Sequence, residues 1–250
     1  MSTPELTAAV DPAQLALRVA ATREILAQAV SRHGNGRADD QAALVMASSL
    51  GAEDMVLADL IFRSRLPIQI FTLDTGRLHE QTLRVLARTR DTYGCAIRVY
   101  FPAAPDVETL VQAQGINGFY ESVDARMACC RVRKVLPLSR ALAGRNAWIT
   151  GLRREQSPTR AELLVESWDA DHAIAKWSPL ADWSEGEVWA YLRANKVPYN
   201  ALHDQGFLSI GCAPCSRAVQ PGEDPRAGRW WWEHPETKEC GLHVPGAAEH

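Results

Sequence analysis

No stretch of this 250-residue chain stays apolar over the length needed to cross a bilayer, and no basic segment leading into an apolar one stands at its start, where Glu5 and Asp11 interrupt a mild hydrophobicity. A cytoplasmic setting, with thiols kept reduced, is therefore expected. Charge of one sign is also scarce: 27 Lys and Arg against 30 Asp and Glu leave a formal net charge of −3, which gives no general electrostatic hold on nucleic acid. There is no internal repeat and no low-complexity block beyond short polar ends. The Gly-x-x-x-x-Gly-Lys-Ser/Thr loop is absent as well, which counts against ordinary P-loop kinase or ATPase chemistry.

What is present is a hydrophobic content of 46%, enough at this length for one large core. Asp11-Pro12 reads as an N-cap and first-turn proline for a helix ending before Gly34. The apolar run Ala42-Ala43-Leu44-Val45-Met46-Ala47 then reads as a strand buried on both faces. Strands at Ile68-Gln69-Ile70-Phe71-Thr72-Leu73, Ile97-Arg98-Val99-Tyr100-Phe101 and Ala147-Trp148-Ile149-Thr150-Gly151 follow, the first two separated by a helix carrying Leu83, Val85 and Leu86. Ser184-Glu185-Gly186-Glu187 is a capping box for a late helix. Strands alternating with helices predict an α/β fold, a mostly parallel sheet with helices on both faces. Residues 1–200 would form this nucleotide-binding part, and residues 201–250 an irregular, metal-held segment of the same structural domain.

In such sheets ligands bind where strands end. Two loops stand at such ends: Ser48-Ser49-Leu50-Gly51-Ala52-Glu53-Asp54, which leads into a helix, and Asp74-Thr75-Gly76-Arg77. A small-residue loop at a helix N-terminus gathers backbone N–H groups and suits phosphate or sulfate, although a plain capped turn would look the same. Basic residues cluster in three places, Arg131 and Arg133 with Lys134, Arg153 with Arg154, and Arg226 with Arg229. A solvated face explains each group singly; convergence on one anion would explain all three.

Six cysteines remain: Cys129-Cys130, Cys212-x-x-Cys215, Cys95 and Cys240. Grouped cysteines in a reducing compartment are metal ligands or redox groups more often than bridges. Adjacent ligands crowd one small tetrahedron, whereas separate iron corners of a cluster accept them, which favours iron-sulfur over zinc without deciding it by spacing alone. Cys95 opens an apolar run and is expected to be a buried small hydrophobe. Cys240, in a polar segment near Lys238 and His243, is a candidate nucleophile, its thiolate favoured by nearby positive charge; His243 is read as a positioning or surface residue.

These motifs, with Thr150-Gly151-Leu152-Arg153-Arg154-Glu155-Gln156-Ser157, Gly228-Arg229-Trp230-Trp231-Trp232 and Glu239-Cys240-Gly241-Leu242-His243, together resemble the assimilatory adenylyl-sulfate reductases of the iron-sulfur type, in unbroken order over roughly residues 41–243. The double cysteine and the Glu-Cys-Gly-Leu-His segment are the most specific elements. The resemblance implies an adenine nucleotide alpha-hydrolase-like fold, a 4Fe-4S cluster on Cys129, Cys130, Cys212 and Cys215, and reduction of adenosine 5'-phosphosulfate to sulfite and AMP by thioredoxin, in sulfate assimilation for cysteine biosynthesis. It further implies Cys240 as the nucleophile. Lys134, Arg226 and Arg229 would hold the phosphosulfate, and Ser48, Ser49, Gly51, Asp54, Asp74, Arg153 and His243 would complete the substrate site. Leu50 stands where many relatives carry Ser, leaving the loop its backbone donors.

Alternatives stay open. The substrate could instead be the 3'-phosphorylated nucleotide, or both could be accepted. An ATP-pyrophosphatase-type tRNA thiolase shares the fold but needs a second glycine and a serine that residues 51–55 lack. A zinc-stabilised binding module is disfavoured by the net acidity and the parallel-sheet pattern. The oligomeric state, a homo-oligomer included, is not specified.

Overall fold

Asp11 caps the first helix, α1 (Pro12–His33), by accepting the N–H of Ala13 at 3.0 Å, and Gly34 ends it. The computed structural model of the chain describes residues 10–156, 160–224 and 226–234. Strand β1 (Leu44–Ala47) feeds α2 (Ala52–Arg63), β2 (Gln69–Leu73) feeds α3 (Glu80–Tyr93), and β3 (Arg98–Tyr100) follows. After α4 (Ala104–Gln114), α5 (Val123–Cys130) and α6 (Leu136–Leu142), the chain returns through β4 (Ala147–Ile149). The hairpin β5 (Glu166–Asp169) and β6 (Ile174–Trp177) and then α7 (Glu185–Ala194) complete the regular elements. The Ser184–Glu187 capping box forms reciprocally at the start of α7.

The sheet order is β3-β2-β1-β4-β6-β5, parallel except for β5 against β6. Successive strand residues face opposite layers. Leu44 and Met46 of β1, Ile70 of β2 and Ala147 and Ile149 of β4 enter one core with α1, α2 and α7, while Val45, Phe71 and Trp148 enter a second core with Leu138, Ala141 and Leu142 of α6. Each such Leu, Ile, Val or Met contributes about 1.5–3 kcal/mol by leaving water. Helix α2 is buried at nine consecutive or near-consecutive positions from Ala52 to Ile61, which explains why its apolar residues show no single stripe.

The mostly parallel α/β arrangement with helices on both faces is as the alternating pattern predicts. Two features differ. Cys95 is exposed rather than buried, because Gly94 caps α3 in the left-handed conformation and the chain is still turning there; Ile97 takes the buried position instead. Helices α4 to α6 and the β5–β6 hairpin carry no pattern strong enough to be read in advance. Beyond Ala201 the described chain is indeed irregular, with only short 3-10 turns and isolated bridges that tie Cys212 to Leu78 and Arg229 to Ser216. Among the described residues no helix is long and apolar enough to cross a membrane.

Candidate active site

The chain runs from β1 outward through β2 to β3 and then returns to place β4 on the other side of β1. The loops leaving β1 and β4 therefore diverge at a switch point, where open α/β sheets form ligand crevices. Leu50 is held at φ 62° with its side chain in the core, and Gly51 opens α2 without a side-chain cap, leaving first-turn N–H groups facing the crevice side of the sheet. Ser48 turns its hydroxyl to accept the Leu50 N–H at 3.1 Å.

Asp54 is the clasp of this region. Its Oδ2 accepts both the Ser49 N–H at 2.6 Å and the Ser49 hydroxyl at 2.7 Å. Gly151, just past β4, comes so close that a Cβ there would lie 2.3 Å from Asp54 Oδ1 and 3.1 Å from Glu53 Cβ, so only glycine fits. Burial pushes the Asp54 carboxyl up to about 6, against hydrogen bonds from Ser49 and Gly151 that favour the anion. Arg153 also turns inward: its Nε donates to Glu53 at 2.9 Å and its Nη1 to the Trp183 carbonyl at 3.3 Å, bracing α2 against the β4 loop. Asp74 shapes the neighbouring turn after β2 by accepting the Gly76 N–H at 2.8 Å.

That turn forms one wall of a cavity lined by Arg77, Phe119, Arg126, Cys129, Cys130, Arg133, Lys134, Cys212, Cys215 and Trp230, among others. Cys129 and Cys130 close α5, and a π-helical turn, Arg131–Val135, carries Arg133 and Lys134 onto the same wall before α6 begins. Such wide turns are rare and concentrate at functional positions. Arg133 Nη1 donates to the Thr75 carbonyl at 2.7 Å, while the Thr75 hydroxyl lies 3.2 Å from Cys212 Sγ. Gly211 lets the Arg229 guanidinium lie flat against the chain; a Cβ there would meet its Nη2 at 2.6 Å.

Left metal-free, this cavity sets burial, which favours neutral thiols, against the positive charge beside its sulfurs. Burial raises the Cys215 thiol to about 12, opposed by Lys134 and Arg229, and raises Cys129, opposed by Arg133 and Arg77. Arg133 Nε and Arg229 Nε are buried without a hydrogen-bond partner among the described residues. Thiolates coordinated to a metal centre would meet this excess of donors and positive charge. The described residues hold no group of three or more His, Cys, Asp or Glu poised on one metal ion. Four thiols on one cavity wall, with buried guanidinium donors beside them, are a donor set that fits a sulfur-ligated metal centre.

Sequence reasoning gathered Lys134 and the four paired cysteines, and the structure places all five on this wall. Arg229 stands beside it, facing Cys215. Arg226 is half-buried in the preceding turn, where its N–H donates to Asp224 at 2.7 Å. Cys240 and His243 lie outside the described residues. Arg77, Thr75, Arg126 and Trp230 were not singled out as site residues. Arg77 and Thr75 stood in a quoted loop, and Arg126 lies a helical turn before the double cysteine, the one local signal that could have found it.

Residues 43–218 match the phosphoadenosine phosphosulfate reductase domain family. An adenosine 5'-phosphosulfate reductase of Allochromatium vinosum is 62% identical over 200 residues, covering 80% of this chain and 78% of that protein. One of Burkholderia cepacia is 52% identical over 244 residues, covering 98% and 94%. Among solved structures, the phosphate complex of the phosphoadenylyl-sulfate reductase of Candida auris superposes with a TM-score of 0.66 at 24% identity, over 86% of this chain and 100% of that one, a likeness of fold. With a family match over residues 43–218 and relatives of this identity and coverage, the chain belongs to the phosphoadenosine phosphosulfate reductase family.

Proposed function

We propose that this protein reduces adenosine 5'-phosphosulfate to sulfite and AMP, with thioredoxin as the reductant and a Cys240 S-sulfonate as the intermediate, in cytoplasmic sulfate assimilation toward cysteine. The observation that carries this reading is the single cavity on which four cysteines, Lys134, Arg77 and Arg133 converge beside the β1–β4 crevice. The names of the similar bacterial reductases support the choice of substrate.

The nucleotide would lie over the loop of residues 48–54, its phosphate toward the α2 N-terminus, with Asp54 and Arg153 keeping the β1 and β4 loops in register rather than touching it. Lys134 and Arg229 offset charge on the phosphosulfate, with Arg226 and His243 assigned to the same end. The Cys240 thiolate attacks sulfur: an S–S bond forms, the bond from sulfur to the bridging oxygen breaks, and its electron pair leaves on AMP. One thioredoxin thiolate then attacks Cys240 Sγ, so that sulfite departs with the S–S electron pair; the second thiol resolves the mixed disulfide and returns Cys240 as thiolate. Sulfur gains two electrons and the dithiol loses two.

A 4Fe-4S cluster held by Cys129, Cys130, Cys212 and Cys215 would supply a fixed crosslink and a local electrostatic field, with no open coordination position for substrate. The division into a nucleotide-binding part, 1–200, and a cluster-supported segment, 201–250, belongs to this proposal. The test is trapping without reductant. Incubation with adenosine 5'-phosphosulfate should add one sulfonyl group to the peptide containing Cys240, and the 3'-phosphorylated nucleotide should add markedly less. An unmodified peptide, with sulfite still formed once thioredoxin is added, would remove the intermediate from the scheme.

A further inference from the structure

Arg126 precedes Cys129 by three residues and Cys130 by four, spacings that put side chains on one face of a helix. Its side chain is 2% exposed, and Nε and Nη2 donate to the two oxygens of Glu233 at 2.9 and 2.9 Å. Glu233 is 4% exposed. The same guanidinium stacks on Trp230, 4.7 Å from its ring centroid, and Arg229 stacks on that ring at 4.7 Å as well.

Trp230 itself is 1% exposed and sits at φ 40°, a conformation that an L-residue adopts only when its surroundings enforce it. Its N–H donates to the Cys215 carbonyl at 3.1 Å, and the Glu233 N–H donates to the Trp230 carbonyl at 2.8 Å. One buried, forked ion pair thus joins the helix of the double cysteine to the turn that holds Arg229. Removing either partner would take a forked, charge-assisted contact from the other in a buried setting, so the two are expected to act together.

We propose that Arg126 is a positioning residue: through Glu233 and Trp230 it fixes where Arg229 stands at the cysteine cavity. Arg126 touches no reacting atom in this scheme. The inference rests on the proposed reaction through Cys240.

The experiment compares Glu233→Gln, Arg126→Lys and the double variant Arg126→Lys/Glu233→Gln with the wild type. Three quantities are measured: the single-turnover rate of Cys240 sulfonation, the affinity for AMP, and the iron bound per chain. Glu233→Gln and Arg126→Lys should each slow sulfonation at least about tenfold with AMP affinity and iron content retained, and kcat should fall without a matching rise in KM. The double variant should be no slower than the slower single variant, since one unit is lost only once.

Wild-type sulfonation in Glu233→Gln overturns the proposal. So do losses that multiply in the double variant, or rates that fall only in step with AMP affinity or iron content, as a purely structural role would give. Absence of sulfonation at Cys240 in the wild type strikes the reaction scheme instead, so the two failures are told apart.

Discussion

Where β1 and β4 end, polar side chains answer one another: Asp54 takes both donors of Ser49, and Arg153 takes Glu53. In the adjoining cysteine cavity, Arg133 and Arg229 each keep a buried Nε without a partner among the described residues, and burial pushes the Cys129 and Cys215 thiols up. The first region is a self-satisfied frame whose remaining offer to a ligand is backbone N–H. The second has surplus donors and positive charge, set against a burial that by itself favours neutral thiols. One region reads shape, the other charge.

The sharpest way to break this division is Cys240→Ser. Sulfite formation should fall to background while AMP binding and iron content persist; retained turnover would place the chemistry elsewhere. Next in size, Lys134→Ala should lower kcat/KM by about 10- to 100-fold, the effect of a lost charge-assisted contact of ~1.5–3 kcal/mol. AMP binding should change little, and unchanged kinetics with the phosphosulfate would return Lys134 to a solvated role.

On the frame side, Gly151→Ala forces a Cβ to within 2.3 Å of Asp54 Oδ1 and should weaken AMP binding roughly tenfold, by a strain of ~1–3 kcal/mol. Calorimetric titration with AMP measures this. Affinity equal to the wild type would mean that the two loops are not a shared nucleotide cradle.

The last test is a pH dependence of stability rather than of activity. Asp54 is held near 6 in the fold against about 4 unfolded. Its raised value favours the protonated form, so its stabilising contribution is full below about pH 4 and is lost as pH rises through about 6. Two units correspond to about 3 kcal/mol. Urea midpoints of wild type and Asp54→Asn should therefore diverge between about pH 4 and pH 7, the wild type losing stability relative to the variant; parallel curves would show that Asp54 titrates in its ordinary range.

Much of the sheet was legible because buried parallel strands must be short apolar runs: residues 42–47, 68–73 and 147–151 each enclose an observed strand. The caps at Asp11 and Ser184 were equally plain, since a capping side chain acts on N–H groups two or three residues away. The β5–β6 hairpin escaped because β5 is a half-exposed edge strand with charged ends. Cys95 was misplaced because apolar neighbours say nothing about where a helix cap releases the chain. The resemblance assigned Arg153 to the nucleotide, and only the fold shows that its Nε and Nη1 also brace Glu53 and Trp183.

By itself, then, the sequence determined which segments become strands, which loops follow them, and which cysteines come in pairs, because those depend on side-chain pattern over a few residues. Only the tertiary structure decided that Thr75 meets Cys212, that Gly151 closes on Asp54, and that Arg126 grips Glu233. Those partners lie roughly a hundred residues apart or more, and what brings them together is strand order and the fit of packed layers, which no local pattern encodes.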